Sequence, residues 1–346
     1  MGPAPEGATV QPLIIPGGES PATAPARRDR SVLRFAARRL VTMVLTLLAA
    51  SVLVFVVLNV LPGTPAQVIL GTQATPAAVR ALTIKLGLNQ PLPLQYLHWI
   101  GGLLTLHLGK SYISGQPIGP EVGSALAVTA PLVALGLLVG LAIAVPLGTL
   151  SAVRHRKPSG ALLAAATQVG IAIPNFVLGI LLIIVVAVFW RLLPASGFVP
   201  WSQSPLGALQ SLILPAVSLG LVEGAILSRY VRTAVLGVLG ADFLRTARAK
   251  GMRTGRALRR HGIRNASVPV LTVLGLELSG LIIGAVVIEA VFTLPGVGSL
   301  LLSAVANRDL ITVQDIVMLV ATVVVVTNFV VDLLYRLVDP RIGLGA

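Results

Sequence analysis

The sequence predicts an all-α, polytopic integral membrane protein with six transmembrane helices. Three observations predict it. Only 11% of the residues are charged against 55% hydrophobic, with a mean hydropathy of +0.92, whereas a soluble domain carries about 25% charged residues. Six apolar runs are long enough to cross a hydrocarbon core about 30 Å thick, which takes about 20 helical residues. The basic residues lie between those runs, dense in one connection and sparse in the next, as membrane topology requires.

The runs are Leu40–Leu61, Leu126–Val153, Ala161–Phe189, Leu209–Ser228, Val268–Val291 and Val313–Tyr335. The second and third are long enough to tilt or to extend past the bilayer. Pro146, Pro174 and Pro215 lie inside runs, where a missing N–H can kink a helix. With the N-terminus inside, the inside segments hold 21 of the 26 Lys and Arg residues. Six lie in the tail, three in 154–157, ten in 229–264 and two after the last run. The outside segments hold only Arg80, Lys85, Lys110, Arg191 and Arg308. This asymmetry predicts that both termini are cytoplasmic.

Three regions follow. Residues 1–36, rich in Pro, Gly and Ala and basic from Arg27 onward, read as a flexible cytoplasmic tail. They have no apolar core suited to a cleaved signal. Arg38-Arg39 reads as charge that holds this end inside rather than as a twin-arginine signal. Residues 37–118 hold the first span and an extracytoplasmic segment too long for a simple turn. There Thr75-Pro76 offers an N-cap and a first-turn proline, Gly87 a terminator, and Leu94–Leu106 a second short helix, together a small folded cap. Residues 119–342 form a transmembrane core containing a basic inside loop at 240–266.

Several functions are excluded. The net charge of +14 does not indicate nucleic acid, because no basic face is interleaved with aromatics. There is no cysteine, so disulfides and thiolate chemistry are absent. His98, His107, His155 and His261 have no metal-ligand spacing. Leu108-Gly109-Lys110-Ser111 looks like the end of a phosphate-binding loop, but its first glycine would fall at Leu104 and on the wrong side of the membrane. A pump built on this chain therefore draws on an ATPase partner. No internal repeat is visible, which weighs against a secondary transporter. No Ser–His or Asp–Asp pair sits at one depth, which weighs against an intramembrane protease. No catalytic residue is expected.

The inside loop is the most informative stretch. Asp242, Phe243, Leu244, Arg245, Thr246, Ala247, Arg248, Ala249, Lys250 and Gly251 predict a short helix, with Asp242 and Lys250 suiting the dipole ends and Gly251 ending it. Phe243, Leu244 and Ala247 form one apolar stripe. Such a helix suits docking into a partner's groove or lying on anionic headgroups. Five acids fall in or near the spans: Glu223, Glu277, Glu289, Asp315 and Asp332. A charge at mid-bilayer is costly unless it faces water or a partner. Glu277 is the deepest in its span and, with Glu289, is a candidate pathway residue. A hydrogen-bonding role is the alternative for both, and the better one for Glu289 and Asp332. Asp315, at the outer edge of the last span, is expected to be within reach of water.

The stretch Arg245-Thr246-Ala247-Arg248-Ala249-Lys250-Gly251, with Arg264-Asn265-Ala266 and Pro269 following, resembles the coupling loop of binding-protein-dependent ABC importer permeases, in their dipeptide/oligopeptide branch. Other matching stretches occur in order. They are Leu61-Pro62-Gly63-Thr64-Pro65-Ala66, Gly87-Leu88-Asn89-Gln90-Pro91-Leu92, Ile173-Pro174-Asn175-Phe176, Glu289-Ala290-Val291-Phe292-Thr293-Leu294-Pro295-Gly296-Val297-Gly298, Asp332-Leu333-Leu334-Tyr335 and Asp339-Pro340-Arg341. The likeness runs from about residue 34 to 342. Arg245-Thr246-Ala247 stands where the wider family has Glu-Ala-Ala, and Thr64 where an aspartate is common. The resemblance implies a type I ABC importer permease fold. It implies a second homologous permease subunit, two cytoplasmic ATPase domains that bind ATP and Mg, and an extracytoplasmic solute-binding protein. It implies import of peptides or similar solutes across a bacterial or archaeal plasma membrane. A secondary transporter or channel without ATPase partners is the alternative.

Overall fold

A computed structural model describes residues 26–60 and 65–338 of the chain. The tail before Ala26, the Leu61–Thr64 part of the first motif and the closing Asp339-Pro340-Arg341 lie outside the described residues. The described chain is helical, with one isolated bridge between Lys110 and Pro117.

Helix α1, Ala26–Val60, starts inside the segment expected to be a flexible tail. Its opening turns are Ala- and Arg-rich, residues that lose little on entering a helix. The cap follows as α2 (Pro65–Leu70), a 3-10 turn at Gly71–Gln73, α3 (Pro76–Lys85) and α4 (Leu92–Leu104). The punctuation matches the sequence reading. Thr75 Oγ1 accepts the Ala78 N–H at 3.3 Å, and Gly87 takes φ +72° beyond the end of α3. Then come α5 (Ile118–Val153), α6 (Pro158–Ala172) and α7 (Asn175–Leu182), the last running on as π-helix to Phe189. The remainder is α8 (Pro205–Leu239), α9 (Asp242–Ala249), α10 (Thr254–Ala257), a π turn at Leu258–Gly262, α11 (Ile263–Val291), α12 (Val297–Ala306) and α13 (Leu310–Val338).

Among the described residues, five helices are long and apolar enough to cross a membrane: Arg34–Asn59 of α1, α5, α8, Asn265–Val291 of α11 and Leu310–Leu333 of α13. The expected third span is not one rod. Its two halves, Pro158–Ala172 and Asn175–Phe189, meet at 95° and make a sixth span only as a bent pair. The cause is Pro174. Ile173 before it is driven out of the helical region to φ −89°, ψ 122°, as the ring of a following proline demands. Pro146 and Pro215, by contrast, sit inside continuous helices.

Helix α8 is central. Its most apolar window is 72% buried, whereas those of α1 and α13 are 11% buried and so face lipid or another subunit. The α5–α8 contact is built on small residues. Gly136, Gly140, Ala144, Gly148 and Ala152 recur every fourth residue along α5 and are all buried. Ala216, Gly220, Gly224 and Ser228 do the same along α8. A Cβ on Gly220 would lie 2.6 Å from Val139 Cβ, and one on Gly148 would lie 2.6 Å from the Ser228 carbonyl. Backbones that approach this closely associate by packing in lipid, where no hydrophobic driving force joins helices.

The outer helices are tied on by polar contacts. Arg39 of α1 pairs with Asp332 of α13 at 3.2 Å, the structural role expected of Asp332. Ser51 of α1 and Tyr96 of α4 share a hydrogen bond of 2.8 Å. Phe55 stacks on Trp99 at 6.1 Å and meets Tyr96 edge-on at 5.4 Å. The cap is thereby fixed to the first span.

Candidate functional site

Where α8 ends, the chain turns at Gly240-Ala241 and forms α9, an eight-residue helix where the sequence predicts a short one. Asp242 stands in its first turn and Arg248 in its last, the favourable placement against the helix dipole. The C-terminus closes as a Schellman motif. The Gly251 N–H bonds the Arg248 carbonyl at 2.9 Å, and the Met252 N–H bonds the Ala247 carbonyl at 3.2 Å. Gly251 holds φ +87°, a conformation that costs residues bearing a Cβ.

The apolar stripe is divided differently from expectation. Leu244 and Ala247 are buried against Ala257, with Leu239 and Met252 packed around them. They hold the hairpin to its own chain, so they are not the surface a partner would meet. The reason is geometric. The Schellman turn sends the chain back under α9, and α10 covers that face. Phe243 stands at the edge of the same stripe, one turn before Ala247, and is left 42% exposed. Arg245, Thr246, Arg248, Ala249 and Lys250 are exposed around the rest of the helix. The Asp242–Arg245 pair, at 3.5 Å on the open surface, adds little to stability. What α9 presents outward is thus one aromatic side chain in a basic field.

The intramembrane acids separate into three environments. Glu289 is fully buried. It accepts from Thr129 Oγ1 at 2.5 Å, from the Gly298 N–H at 2.8 Å and from the Ser299 N–H at 3.2 Å. Every one of these partners belongs to the chain's own packing. Its expected place among pathway residues is therefore corrected: it is a helix cap, because the sharp turn at Leu294–Gly296 folds α12 back over the carboxylate.

Glu277 is half-buried on α11. Helix α11 also passes α8, and there Glu277 comes close enough to Glu223 and Arg229 for their charges to interact. Glu223 is buried, packs on Gly140 of α5 and has one oxygen, Oε1, without a hydrogen-bond partner. This cluster joins residues from two distant stretches of sequence. Glu277 and Glu289 do not share it, since 12 residues of helix hold them about 18 Å apart.

Asp315 also departs from expectation. It is 1% exposed rather than open to water. Trp99 of α4 donates its Nε1–H to Asp315 Oδ1 at 2.8 Å and covers it. The Gly109-Lys110-Ser111 stretch is no phosphate cradle. Ser111 Oγ is turned inward to accept the Ile113 and Ser114 N–H groups, and the segment closes on itself through the Lys110–Pro117 bridge.

Residues 32–134 match the N-terminal model of binding-protein-dependent transport system membrane components. Residues 144–344 match the model described as binding-protein-dependent transport system inner membrane component. The chain is similar to the dipeptide transport system permease protein of Escherichia coli K12, with 34% identity over 335 residues covering 90% of this chain and 99% of that protein. It is similar to a Brucella abortus (strain 2308) protein named as a peptide transport system permease, with 37% identity over 305 residues covering 88% of this chain and 97% of the other. A crystal structure of an amino acid ABC transporter with histidines aligns at a TM-score of 0.47 and 17% identity, over 64% of this chain and 94% of that one.

Proposed function

This chain belongs to the family of binding-protein-dependent transport system inner membrane components, and from that premise we propose that it carries short peptides inward and takes its drive from an ATPase docked at Phe243. The chain is the translocation-pathway subunit of an ABC importer. It is a transport component rather than an enzyme, and its family works with ATPase and solute-binding partners. Nothing in its relatives favours secondary transport.

The finer assembly is as follows. A second homologous permease completes the pathway beside this chain. Two cytoplasmic ATPase domains hold ATP and Mg. Both termini, the Arg154–Lys157 turn and the α9 hairpin lie in the cytoplasm, as the basic asymmetry of the sequence favours. The cap of α2–α4 then faces outward, toward the solute-binding protein. Asp242 to Gly251 form the coupling element. ATP-driven closure of the ATPase pair moves α9, and α9 moves the end of α8. Because α8 is the central helix, this displacement reaches the α5–α8–α11 packing as a rigid-body change.

The observation that supports this reading is the outward face of α9. Leu244 and Ala247 lock the hairpin to the chain, so the partly exposed Phe243 at the edge of their stripe is left for a partner, on a helix whose remaining faces carry exposed Arg245, Arg248 and Lys250. A buried aromatic anchor with a charged rim is the usual energetic form of a docking site. An interfacial helix would use the same ring and the same basic charge, so recovery of the ATPase is the readout that separates docking from headgroup binding.

The test is Phe243→Ser. It leaves the buried face of α9 intact. Purified through this chain, the variant complex is expected to recover several-fold less ATPase, with membrane insertion unchanged. Retained ATPase with ATP-dependent peptide uptake at the normal rate would remove Phe243 as the docking residue.

A further inference from the structure

Helix α4 is 13 residues long and carries no charged side chain. At about 1.5 Å per residue it is far too short to cross a membrane. It has two apolar faces. Tyr96, Trp99 and Leu103 form one at helical spacing, and Leu94, Leu97, Gly101 and Leu104 form the other, roughly opposite. The first face holds α4 to the spans. Tyr96 shares its hydrogen bond with Ser51, and Trp99 stacks on Phe55 and donates to Asp315. On the second face Leu97 is 61% exposed and Leu104 is 80% exposed. His98 lines the cavity that α4 closes with α1 and α13.

Those contacts fix the depth of α4. The span of α1, Arg34–Asn59, and that of α13, Leu310–Leu333, exceed a core about 30 Å thick by only a few Å at each end. Ser51 stands about 12 Å inside the outer end of the first, and Asp315 about 8 Å inside that of the second. Both therefore lie within the hydrocarbon, and side chains of one short helix reach them. Helix α4 lies beside α1 and not over its end, because α1 continues from Ser51 to Val60, about 13 Å further. The face turned away from α1 then looks along the membrane plane. Beside the contact, α1 itself exposes Leu48, Val52 and Val56, so an apolar surface runs from the span on to α4. The windows of α1 and α13 are the least buried of the spans, which puts α4 at the rim of the bundle.

The end of α4 carries an independent sign. It closes as a Schellman motif, with the Leu106 N–H on the Leu103 carbonyl at 3.2 Å and the His107 N–H on the Gly102 carbonyl at 2.8 Å. The left-handed residue of that motif is usually glycine. Here it is Leu106, at φ +58° and 85% exposed. In water neither the backbone nor the bare side chain gains from this choice. In hydrocarbon the side chain does, and a backbone outlier of this kind points to function. We propose that α4 is an interfacial helix sunk into the outer leaflet, with Leu97, Leu104 and Leu106 on phospholipid acyl chains. Tyrosine and tryptophan, here Tyr96 and Trp99, concentrate at that depth. An apolar helix face there sits about 5–10 Å into the boundary between headgroups and acyl chains. The choice of leaflet rests on the outward orientation of the cap proposed above.

The experiment places one spin label at a time on Leu97→Cys, Leu104→Cys and, as the water reference, Ser114→Cys. It uses the complete importer, with the cysteines of its other subunits replaced, in phospholipid nanodiscs without the solute-binding protein. Power saturation compares collisions with oxygen, which concentrates in hydrocarbon, and with a water-soluble nickel chelate. At Leu97 and Leu104 oxygen collisions are expected to exceed nickel collisions several-fold, and at Ser114 the reverse. A profile at Leu97 and Leu104 like that of Ser114 stands α4 in water and overturns the proposal. Poor access for both reagents overturns it too, since another subunit then covers the face. Both substitutions replace exposed residues, and either alone decides should the other fail to assemble. Retained ATP-driven uptake identifies the labelled importer as assembled. The leaflet is read separately. If Ser114→Cys reacts with an impermeant thiol reagent from the cytoplasmic side only, the outer leaflet is overturned while the oxygen profile still decides the acyl contact.

Discussion

Glu289, in the last turn of α11, accepts the backbone N–H of Gly298, in the first turn of α12, at 2.8 Å. The same carboxylate takes the Ser299 N–H and the Thr129 hydroxyl, while Thr129 Oγ1 accepts the Val297 N–H at 2.8 Å. One acidic side chain therefore caps α12 and clamps it to α5 and α11. An anionic acceptor at a helix N-terminus meets both the free N–H groups and the positive end of the dipole. The glycine at 296 is required by proximity, since a Cβ there would lie 2.2 Å from the Glu289 carboxyl carbon.

Glu289→Ala is expected to destabilise the complex by about 2–4 kcal/mol, because it leaves one buried and two partly buried donors unmet, at about 1–3 kcal/mol for a fully buried one before relaxation. Glu289→Gln retains an acceptor and should lose roughly half as much. Thermal unfolding of the purified complex measures both. A Glu289→Gln variant with unchanged melting but abolished uptake would restore Glu289 to the pathway.

The small-residue ladders make a second expectation. Gly220→Val drives a branched side chain into Val139 and the Gly136 carbonyl, so α5 and α8 must separate. Recovery of assembled complex should fall several-fold. Gly119→Ala, where an added Cβ meets nothing within 4 Å, should be neutral or slightly stabilising, by up to about 1 kcal/mol. Equal recovery of the two variants would mean that the α5–α8 contact does not hold the bundle together.

The spans were legible because hydropathy and helix length are properties of single segments. So were Thr75-Pro76, Gly87 and Gly251, where the turn chemistry is local. The 95° break at Ile173-Pro174 was only half legible. A proline says where a helix can bend but not by how much, and that depends on what the second half packs against, here Ser218 Oγ donating to the Asn175 carbonyl at 3.0 Å. The ladders Gly136-Gly140-Ala144-Gly148 and Ala216-Gly220-Gly224-Ser228 stand in the sequence at a fixed spacing of four and carry the central packing. A search for small residues at helical repeat would have found them. The pairing of Glu223 with Glu277, and of Trp99 with Asp315, was not legible, because each joins residues far apart in the chain. Leu244 and Ala247 show the same limit. Helical periodicity marks an apolar face, but only the fold decides whether the chain itself covers it.

The Glu223–Glu277 cluster predicts a transport phenotype. Glu277 is half-buried beside an acid and Arg229, and a polar group kept inside the membrane part of a permease marks a route for polar solute. Glu277→Gln preserves shape and removes charge. Peptide uptake is expected to fall several-fold with ATPase recovery intact. Unchanged uptake would leave the cluster as a hydrogen-bonding contact between helices.

Topology is open to a direct check, since the chain has no cysteine of its own. Ser114→Cys in the exposed cap and Arg256→Cys in the exposed α9–α10 hairpin should label with a membrane-impermeant thiol reagent from opposite sides. Intact cells should label the first only, and inverted vesicles the second only. The reverse pattern would invert the orientation, and labelling of both from one side would count the bent α6–α7 pair as a re-entrant loop.

The α9 hairpin supports one last contrast, between residues that build it and residues it displays. Ala247→Glu places a charge among Leu244, Ala257 and Met252, where burial without a partner costs several kcal/mol. Gly251→Val forces a β-branched residue into φ +87°, costing roughly 1–2 kcal/mol or more, and opens the Schellman closure. Both should loosen the hairpin itself, seen as faster protease cleavage after Arg253 in membranes that lack the ATPase. Phe243→Ser should leave that cleavage rate unchanged. If all three variants lose ATPase and only the first two gain cleavage, the hairpin is a preformed rigid key and Phe243 is its contact. Equal cleavage in all three would mean instead that Phe243 belongs to the hairpin's own core.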